Sequence, residues 1–208
     1  MNTPIPIYIA VEDALGERLA RKLLNHGARP FSIGACFGKQ GKSYLQRKIK
    51  GFNSAARVTP FLVLTDLDSD ECAPLLVKSW LPGRTWPNLL FRIAVTEAES
   101  WVMADRGGLA RYLGVDEKLV PAHPDNVRNA KEKLVEIARR STKSLLRKAL
   151  VPADGSSARV GPDYNGCLAV FLENHWDIRR AIKRSPSLRR ALDALLSFKP
   201  VVRAPREN

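Results

Sequence analysis

Residues 61–65, Phe-Leu-Val-Leu-Thr, form a continuous apolar run that is short for a helix and lacks the alternation of a half-solvated strand. Such a run needs cover on both faces, which is the situation of a strand inside a parallel sheet. Residues 6–11, 30–37 and 88–95 read the same way. Between them, 13–26 places Leu15, Leu19, Leu23 and Leu24 on one helical face, with Asp13 set to cap it. Residues 38–41 form a glycine turn, 43–52 predict a basic helix and 71–80 a short one. The strand–helix alternation predicts an α/β core over 1–100, a four-stranded, mostly parallel sheet with helices on both faces. From residue 97 the pattern changes. Helices are predicted over 98–105, 107–113, 126–140, 141–149, 164–173 and 186–197, with Asp125 and Ser185 as caps and Pro186 at a first helical position. Residues 151–163 read as a loop. Residues 101–200 are expected to pack on the core as a helical extension and share its hydrophobic core, and 201–208 to be a flexible tail.

The apolar run ends in Asp66-Leu67-Asp68-Ser69-Asp70-Glu71. Folding has no need of so many carboxylates together, and like charges that close drive one group to hold a proton unless a cation neutralises them. Mg²⁺ or Mn²⁺ suits a set of hard oxygen ligands. In open parallel sheets, sites gather at the carboxyl ends of strands. By that rule the first strand delivers Glu12, the third Asp66 and Asp68, and the fourth Glu97 and Glu99. Period-two alternation puts Asp66 and Asp68 on one side if the segment stays extended. Each acid alone also suits a plainer role in the first turn of a helix, and Asp70 and Glu71 read as caps of the following helix.

The chain carries 34 Lys and Arg against 21 Asp and Glu, a formal net charge of +13. That excess points to a polyanionic partner, nucleic acid first. Gly38-Lys39-Gln40-Gly41-Lys42-Ser43 approaches a phosphate-binding loop, but Cys36 stands where its first glycine belongs. What survives is a candidate phosphate contact by Lys39 and Lys42, continued by Arg47 and Lys48. Further basic runs over 128–148 and 179–190 read either as solvated faces or as binding surface. Cys36, Cys72 and Cys167 are too scattered for a disulfide framework or a zinc site. No apolar stretch reaches the roughly 18 residues of a membrane span, and the N-terminus lacks a signal-peptide pattern. A cytoplasmic protein with no membrane association is expected.

Val11-Glu12 closing one strand and Val63-Leu64-Thr65-Asp66-Leu67-Asp68 closing another resemble the Toprim domain, the catalytic module of topoisomerases, DnaG-type primases and OLD-family nucleases. The resemblance spans residues 6–100. It is closest to the small stand-alone Toprim-like proteins beside an ATPase in bacterial phage-defence loci, through Glu97-Ala98-Glu99-Ser100-Trp101 and Ser185-Pro186-Ser187-Leu188. It implies that Glu12 is general acid/base or ligand, and that Asp66 and Asp68 bind Mg²⁺. Asp13 stands where many members have glycine. Glu17 is one residue off the commoner spacing of a further acid, so its part as a ligand stays open.

Together these features lead to the expectation of a Mg²⁺- or Mn²⁺-dependent phosphodiesterase, a nuclease on DNA or RNA. Glu12, Asp66 and Asp68 are its catalytic acids, with Glu97 or Glu99 completing a second metal position. The alternatives are an inactive module that binds nucleic acid or an ATPase partner, and an enzyme acting on a small phosphorylated substrate. A homodimer is left open.

Overall fold

A computed structural model describes residues 3–201. The described residues divide into two compact units, one of residues 3–93 with 190–201 and one of residues 94–189. The expected tail over 201–208 lies outside the described residues, apart from Val201.

The first unit contains β1 (Ile5–Val11), α1 (Ala14–Asn25), β2 (Phe31–Gly38), α2 (Lys42–Ala55), β3 (Phe61–Asp66), α3 (Ala73–Trp80) and β4 (Leu89–Ala94), whose last residue begins the second unit. The strands form one parallel sheet in the order β2-β1-β3-β4. The register pairs Ala10 with Val63 and Val11 with Leu64 on one side, and Val11 with Gly38 on the other. The chain steps from β1 out to β2, then returns past β1 to β3. Right-handed crossovers therefore place α1 and α2 on opposite faces. Burial follows this order. β3 is buried from Phe61 to Thr65, whereas β2, at the edge, is half-exposed along much of its length.

Helix α2 turns Leu45, Ile49 and Phe52 inward. Phe52 joins Phe61, Phe37 and Tyr8 in an aromatic cluster with ring centroids 5.4–6.1 Å apart. Burying each large apolar side chain contributes about 1.5–3 kcal/mol. Asp13 caps α1 as expected, accepting from the Gly16 N–H at 2.8 Å. Phe198 stacks on Phe31, and Asn88 exchanges two hydrogen bonds with the Val201 backbone.

Gly38 ends β2 at φ 101°, and a Cβ built there would meet the Val11 carbonyl oxygen at 2.0 Å. That closeness lets the Lys39 N–H donate to Val11 O at 2.9 Å and the Gly41 N–H donate to Glu12 O at 3.0 Å, which locks the 38–41 turn onto the end of β1. Gly38→Ala is expected to cost about 2–3 kcal/mol from left-handed strain plus the clash, read as a lowered denaturation midpoint. An unchanged midpoint would show that the turn is not held this way.

The second unit is helical: α4 (Ala98–Ala104), α5 (Arg106–Leu113), α6 (Ala130–Arg139), α7 (Ser144–Leu150), α8 (Tyr164–Asn174) and α9 (Ile178–Ala181), with 3-10 turns at Glu117–Leu119 and Pro124–Asn126. The division between units falls within α10 (Pro186–Leu196). Asp125 departs from expectation. Helix α6 starts only at Ala130, and the Asp125 carboxylate instead accepts from Ser185 Oγ at 2.6 Å and the Ser187 N–H at 2.8 Å, capping α10 from a distant segment. Ser185 also caps α10 itself, accepting from the Leu188 N–H at 3.1 Å.

Candidate active site

The strand order reverses direction between β1 and β3, so these adjacent strands form the switch point at which loops diverge and leave a crevice. Glu12 follows β1 there and reaches across to β3. Its Oε1 accepts from the Asp66 N–H at 2.8 Å and from the Thr65 hydroxyl. Glu12 is half-buried, and burial pushes its carboxyl above the usual range. The two hydrogen bonds oppose that shift, nearby Asp68 adds to it and Lys42 opposes it.

Asp66, the last residue of β3, is half-buried. Leu67 is buried, and Asp68 then adopts a left-handed φ of 52°, a conformation Asp tolerates better than most residues. The extended strand therefore stops at Asp66, and period-two alternation does not set the direction of the Asp68 side chain.

The cation among these acids is Lys42, the first residue of α2. Its ammonium donates to Asp70 Oδ2 at 2.7 Å, Asp68 Oδ2 at 2.9 Å and the Leu67 carbonyl at 3.0 Å. Partial burial works against its charge, but the bonds to Asp70 and Asp68 outweigh it and hold the amine above its usual range. Asp70 is thus an ion-pair partner rather than a helix cap, and α3 begins after Cys72 without a side-chain cap. Lys39 pairs with Glu17 at 2.9 Å, and that bond leads in lowering the Glu17 carboxyl; Glu17 also holds Arg21. Arg47 and Lys48 are exposed on α2.

Glu97 and Glu99 belong to the helical unit and have partners inside it. Glu97 Oε2 accepts from the Lys131 N–H at 2.8 Å, at the start of α6. Glu99 is 1% exposed, accepts from the Tyr164 hydroxyl at 3.1 Å and lies 3.6 Å from the Lys131 ammonium. Of the basic residues over 128–148, Arg139, Arg147 and Lys148 line a cavity of about 450 Å³ with residues 151–154 and Pro162.

In kind, the first unit's donor set fits a hard divalent ion, since carboxylate oxygens outnumber the one ammonium that stands in as their cation. In arrangement, no group of three His, Cys, Asp or Glu side chains able to hold a metal is formed among the described residues. Lys42 holds one oxygen, Oδ2, of each of Asp68 and Asp70. Sequence reasoning missed Thr65, whose hydroxyl at the end of an apolar run was the available signal. It also missed Lys42 as counter-ion, for which the sequence carries none.

The charges of this unit are segregated. Every Asp and Glu among residues 1–93 falls within 12–17 or 66–71, the segments that follow β1 and β3, while residues 18–65 and 72–93 carry only basic charge; the unit's other described acid is Asp193, in α10. No helix among the described residues is long and apolar enough to cross a membrane. No protein-family model, curated protein or solved structure matches the chain.

Proposed function

We propose that this protein is a Mg²⁺- or Mn²⁺-dependent phosphodiesterase, a nuclease acting on DNA or RNA, with Glu12, Asp66 and Asp68 as the acids that hold the metal. The observation that carries this reading is Glu12 bonded across the switch point to Thr65 and Asp66, among the strand-end acids of residues 1–93, whose remaining charges are all basic. A divalent ion bound there supplies polarisation of a phosphoryl oxygen and activation of water. Thr65 and the Asp66 N–H fix the orientation of Glu12. Lys42, released from Asp68 and Asp70, offers its ammonium to a substrate phosphate. The surrounding basic surface draws a polyanion in. The resemblance to Toprim proteins supports the same reading, and with it a partner ATPase, a role in phage defence and a cytoplasmic setting, in which the three free cysteines stay reduced.

The test is cleavage of end-labelled DNA and RNA with Mg²⁺ or Mn²⁺, alongside calorimetric titration of Mn²⁺ into the protein. Asp66→Asn is expected to lower cleavage by about 100-fold or more and to weaken Mn²⁺ binding. Cleavage unchanged in Asp66→Asn would sink the assignment. The grip of Lys42 on Asp68 and Asp70 favours a second reading, a metal-free module that binds nucleic acid or an ATPase without chemistry. Tight strand binding with neither turnover nor Mn²⁺ uptake in the parent would select it.

A further inference from the structure

Two guanidinium groups lie over one tryptophan ring in the first unit. The Arg84 Cζ is 4.3 Å and the Arg57 Cζ 4.8 Å from the ring centroid of Trp86. Both arginines are exposed and the ring is half-buried. The arrangement is anchored. Asn53 of α2 donates through Nδ2 to the Arg84 carbonyl at 2.8 Å and accepts at Oδ1 from the Trp86 N–H at 2.9 Å, so the 81–88 loop is tied to the helix. Stacking on a ring restrains a guanidinium while leaving its N–H edge free for a bidentate acceptor.

Two guanidiniums gathered on one ring repel each other, and an anion bound beside them relieves that repulsion. Among the described residues neither guanidinium has a carboxylate partner, and no acid lies between residues 18 and 65 or between 72 and 96 to provide one. The pattern continues along α2. Lys50 and Arg47 lie on its exposed face, one and two turns back from Ser54, and both also lack acidic partners among the described residues. Helical neighbours at such spacing stand about 5–6 Å apart. The helix starts at Lys42 in the acidic corner, and its 14 residues span about 20 Å.

We propose that Arg57 and Arg84, held by Trp86, together with Lys50 and Arg47, bind the phosphate backbone of a nucleic-acid strand lying along α2. The choice of nucleic acid as the polyanion rests on the function proposed above, but the surface acts without metal and is testable with the chemistry off. Binding of a fluorescein-labelled 20-nucleotide single strand is measured by anisotropy in EDTA, across a range of KCl concentrations. Arg57→Ala with Arg84→Ala is expected to weaken binding tenfold or more at 100 mM KCl. The slope of log affinity against log salt should fall by about 1.4, two single-strand phosphate contacts. Arg111→Ala with Lys118→Ala, an equal loss of charge in the helical unit, is expected to change affinity less than twofold. Arg57→Gln with Arg84→Gln keeps the packing on Trp86 and repeats the test should the alanine pair fold poorly. Equal weakening by both charge-loss pairs, or no weakening by the first, overturns the assignment. Binding in EDTA that depends on this surface, with no cleavage under any metal, overturns the hydrolase alone. Cleavage and binding both indifferent to the Arg57 and Arg84 variants overturn this surface alone.

Discussion

Glu12→Gln is expected to raise the melting temperature by a few degrees at pH 7.5 while lowering metal-dependent cleavage by about 100-fold or more. The two effects share one cause. Gln keeps an oxygen where Oε1 accepts from Thr65 and the Asp66 N–H, so the tie between β1 and β3 survives. What it removes is a charge that burial disfavours. The Glu12 carboxyl titrates above its ordinary value of 4.5, with burial the leading cause. A raised folded pKa means that the folded state holds the proton more tightly than the unfolded chain does. The stability this group contributes is therefore full below pH 4.5 and lost as pH rises through the folded value. The gain from Gln should be absent at low pH and appear as pH rises. Melting by intrinsic fluorescence from pH 4 to 8 measures it. A lower melting temperature at pH 7.5 would mean that the fold needs the charge, and a structural role for Glu12 would then replace the catalytic one. Gain of stability with loss of activity is the signature of a charge kept for function.

Asp105→Ala is expected to cost the helical unit about 3–5 kcal/mol, on the order of a 20 °C drop in its melting transition. Asp105 is fully buried, and its oxygens accept from Arg180 Nε at 2.7 Å, a terminal Arg180 nitrogen at 2.8 Å, the Asp177 N–H at 2.8 Å and the Gly108 N–H at 3.2 Å. One carboxylate thus caps α5 and ties it to the start of α9. The Arg180 side chain is 45% exposed and can turn to water once its partner is gone. The buried Gly108 N–H cannot, and burying a donor without a partner is a large part of the cost. Asp177→Ala, which removes a 3.2 Å surface pair with Arg180 and the α9 cap that accepts from the Arg179 N–H at 2.8 Å, should cost about 1–2 kcal/mol. Circular dichroism at 222 nm follows both. A loss below 1 kcal/mol for Asp105→Ala would show that the two helices hold without it.

Much of the candidate site could be read from strand ends. Glu12 and Asp66 meet because β1 and β3 are neighbours and both run toward the same edge. The partners of the other acids could not be read that way. Asp68 and Asp70 look alike to any local rule, yet both turn to Lys42, 26 and 28 residues back in the chain. Asp125 matched a cap for the helix that follows it and caps α10 instead, some 60 residues on. The four-residue α9 has too few turns to leave a periodic trace. Nothing near Trp86 in the sequence marks it as the ring that Arg57 and Arg84 share.

The sequence alone determined the strands, most of the helices and the sheet class, because apolar periodicity and turn residues act within a few positions of each other and report directly on which face is buried. Only the tertiary structure decided the order β2-β1-β3-β4, the reach of Lys42 into the acids and the pairing of two arginines on one indole. These are choices among chemically equivalent partners far apart in the chain. Packing of the helices against the sheet makes them, and no local pattern encodes the result.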